Sequence, residues 1–180
     1  MLKKLITLKN PKSRTAEAFR TLRTNIQFSS LDKELQTIAV TSSGSGEGKS
    51  TVIANLAITM AESGKKVILV DCDLRKPSIH KKMGISNALG LTNVLVQDVK
   101  KEDCMVKTEV DNLLILTSGP IPPNPAELLG SKKMRAFIEA LKDEFDLILI
   151  DAPPVLAVTD AQILSTVVDG IIFVASYGEA

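Results

Sequence analysis

The stretch GSGEGKST (44–51) stands between the apolar run TIAVTS (37–42) and the helical pattern KSTVIANLAITMAES (49–63), and it restricts the fold more than any other feature. Glycines permit tight turns in which successive N–H groups converge on one point. A helix that opens at that point adds its partial positive charge. Strand, glycine loop and helix together form the frame of a phosphate-binding loop. In that frame Gly44, Ser45, Gly46, Glu47, Gly48, Lys49, Ser50 and Thr51 cradle phosphates. Lys49 reaches the β- and γ-phosphates, and the Ser50 hydroxyl binds Mg2+. The usual pattern has a glycine five residues before Gly48, where this chain has Ser43. The dinucleotide alternative fails, because G-x-G-x-G is not G-x-G-x-x-G.

Four more apolar runs follow: KVILVD (66–71), NLLILTS (112–118), DLILID (146–151) and GIIFVAS (170–176). They are rich in Val, Ile and Leu with little polar alternation, as strands covered on both faces are. Helical patterns occupy TAEAFRTLRTNIQF (15–28), residues 49–63 before Gly64, and one or two helices within 124–145. Strand–helix–strand alternation implies right-handed crossovers and a mostly parallel sheet flanked by helices. The expected organisation is a single α/β domain of P-loop NTPase type. Residues 1–30 form an N-terminal helical segment, opening with a mobile lead-in over 1–12, and residues 31–180 form the nucleotide-binding core. The chain stops at Ala180 shortly after an apolar strand, without a closing helix, so a further C-terminal portion is expected.

A formal net charge of +1 gives no global reason to expect a nucleic-acid partner. Cys72 and Cys104 lack metal-ligand spacing and read as reduced thiols. No run approaches the ~20 apolar residues of a membrane helix, and the N-terminus has no signal-peptide core. The expected location is cytoplasmic, with any membrane role depending on another protein.

KVILVDCDLRKP ends its strand on Asp71 and Asp73, whose alternation aims both carboxylates the same way. DLILIDAPP ends on Asp151 in the manner of a Walker B strand, whose Asp holds Mg2+. A lone strand-end Asp is ordinarily a turn or cap residue; three such acids beside a phosphate loop point instead to one shared site. Cys72, between two acids, points into the core as a structural thiol. His80 reads as a surface residue rather than a base.

The D-x-D-x-R-K-P tail of VILVDCDLRKP resembles the Walker A′ motif of bacterial tyrosine kinases (BY-kinases) of capsule and exopolysaccharide systems. AEAFRTLRTNIQF (16–28), GLTNVL (90–95) and SGPIPPNPAELL (118–129) are similar to stretches of that family in the same order. The resemblance implies an ATP- and Mg2+-dependent protein-tyrosine autokinase. It assigns catalytic roles to Lys49, Asp71 and Asp73, with Asp71 the preferred acceptor of the tyrosine proton, and implies a Mg2+ site of Ser50, Asp71 and Asp73 that Asp151 completes. It further implies that Glu17, Arg20 and Arg23 match an E-x-x-R-x-x-R element joining subunits into a ring, although spacing alone makes them a salt-bridged helix face. A separate membrane activator of polysaccharide co-polymerase type is the implied partner, recruiting the kinase to the inner face of the membrane, with protein tyrosines as substrates. The family's tyrosine-rich tail is not in this sequence, which has the single Tyr177. The competing readings are a MinD/ParA-like ATPase and a nucleotide switch acting on a membrane partner. Partitioning ATPases carry a signature lysine near the start of the loop, where this chain has Gly44.

Overall fold

The apolar runs become the strands of one sheet, and the helical patterns become its two flanking layers. The strands are covered on both faces except at the 170–174 edge, where Ile171 and Phe173 stay exposed because among the described residues no strand or helix lies beyond them. The computed structural model of the chain describes residues 4–29 and 34–178. In chain order the elements are α1 (Ile6–Lys9), α2 (Arg14–Phe28), β1 (Thr37–Ser42), α3 (Lys49–Glu62), β2 (Val67–Asp71), α4 (Ile79–Met83), α5 (Leu91–Gln97) and α6 (Lys101–Cys104). They continue with β3 (Met105–Lys107), β4 (Leu113–Leu116), α7 (Pro125–Leu129), α8 (Lys132–Lys142), β5 (Leu147–Asp151), α9 (Asp160–Ser165) and β6 (Gly170–Val174). The sheet order is β3-β4-β2-β5-β1-β6, and every pairing is parallel except β3 with β4. The expected α/β architecture is therefore present, with β3 as an unanticipated antiparallel edge.

Alternation along the strands divides the core between the two faces of the sheet. Ile38, Val40, Val67, Leu69, Leu147 and Leu149 pack with Ile53, Leu56 and Ile58 of α3. Ala39, Ile68, Val70, Ile148 and Ile150 pack with Phe137, Ile138 and Leu141 of α8 and Leu164 of α9. Helix α3 is buried from Ile53 to Ala61 because the sheet covers one side and the N-terminal helices another. Each fully buried Leu or Ile there contributes about 1.5–3 kcal/mol, so the phosphate-loop helix is anchored along its whole length.

The N-terminal lead-in differs from expectation. Within residues 1–12, Leu5 and Thr7 are buried and Ile6–Lys9 is a helical turn; residues 1–3 and the expected boundary at 30/31 lie outside the described residues. The cause is a tertiary polar contact. The Thr7 N–H and hydroxyl both donate to Asn55 Oδ1, at 3.1 and 2.9 Å. Asn55 Nδ2 in turn donates to the Thr51 carbonyl at 2.9 Å. Helix α2 starts at a Ser13 N-cap whose Oγ accepts from the Ala16 N–H at 3.1 Å. Its Arg23 Nη1 donates to the Thr59 carbonyl at 3.0 Å. Thr59 belongs to the last four residues of α3, whose carbonyls have no intrahelical partner, so Arg23 caps that helix from a neighbouring one.

Two of the family-like stretches meet in one backbone crossing. Leu91 N–H donates to the Thr117 carbonyl at 2.8 Å, and Thr92 N–H to Ser118 at 2.9 Å. A Cβ on Gly90 would overlap Gly119 N and Thr117 O, so only glycine fits there. Among the described residues no helix is long and apolar enough to cross a membrane.

Candidate functional site

Strands β1, β5 and β2 are neighbours, so their carboxyl ends deliver the glycine loop, Asp151 and Asp71 to one place. Asp71 and Asp151 are register partners across β2 and β5. Open parallel sheets bind ligands at this end of their strands. The loop turns at Gly46 (φ 91°) and Gly48 (φ 87°), left-handed conformations that strain any residue with a Cβ. Thr51 and Val52 N–H groups both bond the Gly48 carbonyl. The preceding helical amides, those of Lys49 and Ser50, are the orphan donors that a helix N-terminus offers an anion. A cavity of about 570 Å³ opens over them, lined by the loop, Asp73, the 75–82 segment and Pro153–Pro154.

The charged groups interlock. Lys49 Nζ lies 2.5 Å from Asp151 Oδ1 and 3.7 Å from Asp73 Oδ2. The Ser50 hydroxyl donates to Asp151 Oδ2 at 2.7 Å and accepts from the Ser78 hydroxyl at 2.7 Å. Asp71 is fully buried; it accepts from Asp73 N–H at 3.1 Å, Ser78 N–H at 3.1 Å and Ile79 N–H at 3.0 Å. Burial first, then the charges of Asp151 and Asp73, push the Asp71 carboxyl up to about 7, against the Ile79 N–H bond that lowers it. Burial also raises Asp151, with the Lys49 ammonium and the Ser50 hydroxyl opposing it. Among the described residues Lys49 is thus the one cation paired with this crowded group of carboxylates, and the cluster holds together through it.

The expected site residues converge, but they differ in access. Gly44, Ser45, Gly46, Gly48, Lys49, Ser50, Thr51 and Asp73 line the cavity, whereas Asp71 and Asp151 lie beneath it. Glu47 turns back to the start of the loop, where its carboxylate accepts from the Ser43 N–H at 3.0 Å and from the Ser43 hydroxyl. Glu17, Arg20 and Arg23 are elsewhere, on α2: Arg20 Nη1 meets Glu17 Oε2 at 2.9 Å, while Arg23 reaches α3. Cys72 is fully buried, and burial pushes its thiol well above the ordinary value, which fits a structural role. Cys104 is buried as well. His80 is half-buried on α4, away from the cavity lining, and burial lowers its imidazole. Tyr177 is fully exposed.

Two contributors escaped the sequence reading. Ser78 holds both Ser50 and Asp71. Arg75, within the D-x-D-x-R-K-P tail, makes a two-pronged pair with the fully buried Asp160, Nε–Oδ2 2.9 Å and Nη2–Oδ1 3.0 Å. The tail signalled Arg75; nothing in the sequence linked it to a carboxylate 85 positions away.

Among the described residues no cluster of three or more His, Cys, Asp or Glu has metal-holding geometry. The donor set nevertheless fits Mg2+ bound with a nucleotide. Mg2+ keeps several waters and takes one or two protein oxygens plus substrate phosphates. Ser50 Oγ, next to Asp151 and at the cavity floor, is such an oxygen.

Residues 35–178 match the model of the AAA domain family. The chain is 46% identical over 179 residues to tyrosine-protein kinase YwqD of Bacillus subtilis (strain 168), covering 99% of this chain and 76% of that protein. The kinase domain of Escherichia coli tyrosine kinase ETK superposes with a TM-score of 0.93 at 32% identity, over 98% of this chain and 69% of that one. The septum site-determining protein MinD from Pyrococcus horikoshii, solved as its complex with Mg-ADP, has a TM-score of 0.66 at 31% identity, covering 78% and 57% of the two chains.

Proposed function

The chain belongs to the bacterial tyrosine-protein kinase family, built on an AAA domain, and from that premise we propose that it transfers the γ-phosphoryl group of Mg-ATP to protein tyrosine at the cavity above α3. The observation that carries the site assignment is the convergence of Lys49, Ser50 and Asp151 at the head of that helix.

Phosphoryl transfer depends on position and charge neutralisation more than on covalent participation by the protein. The loop amides and the helix N-terminus hold the phosphates. Lys49, released from Asp151 toward the cavity, neutralises charge on the moving phosphoryl group. Ser50 and Asp151 would hold Mg2+, which would supply charge stabilisation on the phosphate oxygens. Asp71 braces the 73–79 backbone through its three accepted N–H bonds. Asp73 is the carboxylate that faces the cavity. It accepts the phenol proton as the tyrosine oxygen bonds to phosphorus and the bridging oxygen leaves with ADP. Access thus favours Asp73 over Asp71 as the base.

The wider reading has three parts. Residues 1–30 serve assembly, through Glu17 and Arg20 on the outer side of α2, and residues 31–180 carry the chemistry. A membrane protein of polysaccharide co-polymerase type brings the kinase to the inner face of the membrane and stimulates it. The pathway served is capsule or exopolysaccharide synthesis. Support for the pathway alone comes from the relatives, which include the putative tyrosine-protein kinase CapB of Staphylococcus aureus and the tyrosine-protein kinase CpsD of Streptococcus agalactiae. The likeness to tyrosine kinases, with Gly44 at the position of the partitioning-ATPase lysine, favours protein over water as phosphate acceptor.

The test is transfer of labelled γ-phosphate from ATP to tyrosine, with and without Lys49→Met. Phosphotyrosine in the wild type and its loss in the variant are expected. Persistence in a folded Lys49→Met protein would show that the chemistry lies elsewhere.

A further inference from the structure

One wall of the cavity carries charge that the chemistry above does not use. The loop and Lys49 answer the phosphates, and Asp73 answers the acceptor hydroxyl. The 75–82 segment supplies further lining, from Arg75, Lys76, Ser78 and Lys82. Between Leu74 and Gln97 the sequence carries Arg75, Lys76, His80, Lys81 and Lys82 and no Asp or Glu.

These cations are not equivalent. Arg75 is committed to Asp160 by two hydrogen bonds. Lys76 and Lys82 have no carboxylate within ion-pair distance among the described residues, while nine other pairs engage Arg20, Lys49, Arg75 and lysines elsewhere. Lys76 is also held close to the chemistry, because its N–H donates to Asp73 Oδ1 at 3.0 Å. The Arg75–Asp160 pair pins the preceding residue to the base of α9, which fixes the backbone that presents Lys76. The result is a positively charged rim within side-chain reach of the carboxylate that meets the acceptor. Water would satisfy these lysines, but a rim of one sign along a concave wall raises the local concentration of oppositely charged ligands.

We infer that this rim selects acceptor tyrosines with acidic neighbours, Lys76 and Lys82 pairing with Asp or Glu side chains that flank the phosphorylated residue. The inference rests on the kinase reading and adds the substrate class to it. Lysine ammoniums suit this role because their flexible stems follow carboxylates at varied spacing, whereas a fixed guanidinium fork would demand one geometry. Exposed pairs of this kind are individually weak, so each acidic neighbour raises kcat/KM by roughly threefold and two by roughly tenfold.

The test compares three peptides, each with one central tyrosine flanked by alanine, glutamate or lysine, as acceptors for the full-length kinase with labelled ATP. The expected order in kcat/KM is glutamate over alanine over lysine, with the spread shrinking as salt is raised to about 0.5 M. Lys76→Ala with Lys82→Ala is expected to bring the glutamate-to-alanine ratio near one, and Lys76→Glu with Lys82→Glu to favour the lysine peptide. Lys76→Ala alone, the milder change, is expected to halve or third the ratio. Equal use of all three peptides by the wild type, or an acidic preference that survives the double alanine change, would overturn the inference and leave the kinase reading intact. A rise in KM for ATP with the ratio retained would assign the lysines to the nucleotide and overturn it too. No label in any peptide, neutral ones included, would overturn the kinase reading and this inference together.

Discussion

Two charged motifs, alike on paper, are built in opposite ways. At the carboxyl end of the sheet, Lys49, Ser50, Asp71 and Asp151 come from three separate elements and converge in a buried cluster. On α2, Glu17, Arg20 and Arg23 come from one helix and separate. Arg20 returns to Glu17 and to the Pro11 carbonyl at 2.7 Å, and Arg23 turns inward to cap α3. The first motif is fixed by sheet topology and burial, so each member depends on the others. The second is fixed only by helical spacing, which places residues on one broad side without deciding what they touch. Convergence makes a site; spacing makes a surface.

The largest expected effect lies in the first motif. Lys49→Met removes the ammonium that pairs with Asp151 and Asp73 and, on the proposed mechanism, the group that meets the moving phosphoryl charge. A fall of at least about 100-fold in kcat for tyrosine phosphorylation is expected in a radiolabel assay.

Next comes the brace beside the site. Arg75→Ala leaves the buried Asp160 carboxylate without its partner, whereas Asp160→Asn leaves only a half-exposed guanidinium that water satisfies. Urea unfolding is expected to show a loss of about 2 kcal/mol for the first and about 1 kcal/mol for the second, since a stranded buried charge costs more than a stranded exposed one. Equal losses would mean that Asp160 is not the vulnerable partner.

The two sides of α2 separate on a smaller scale. Arg23→Ala is expected to lower stability by about 1–2 kcal/mol, read by urea or thermal unfolding, because a charged hydrogen bond to a helix-end carbonyl is lost; Arg23→Lys recovers part of it. Glu17→Ala with Arg20→Ala removes an exposed i,i+3 pair worth roughly 0.3 kcal/mol, so unfolding is expected to stay nearly unchanged. Light scattering on the same double variant is expected to report loss of the higher assembly. If the outer pair changed stability and Arg23 changed only assembly, the contrast between the two sides would be inverted.

What was legible in the sequence follows the same physics. β1, β2, β4 and β5 were readable because strands of an inner parallel sheet demand continuous apolar runs; β6 carries such a run as well, yet it is an edge strand that leaves Ile171 and Phe173 exposed. β3 was not, because Met105–Lys107 is a three-residue edge with no buried position to impose a pattern. The turn α1 escaped because four residues carry no periodicity, and its docking depends on Asn55 in α3. The loop, Asp71, Asp73 and Asp151 were readable as strand ends and glycine spacing. Which carboxylate faces the cavity was not, since Asp71 and Asp73 share an orientation on paper and differ only in the cover that Ile79 and Ser78 provide. Asp160 was invisible for a simpler reason: its partner Arg75, in the loop after β2, is brought to the start of α9 by the fold and not by neighbourhood in the chain.

Thr7, Asn55 and Thr51 form a short line from the N-terminal turn to the phosphate loop, two side chains and one carbonyl long. Seen mechanically, the N-terminal turn is a handle on the catalytic floor. A pull on that turn is shared between the line to the Thr51 carbonyl, one residue from the Ser50 hydroxyl, and the core in which Leu5 packs with Val40 and Val67 of the sheet.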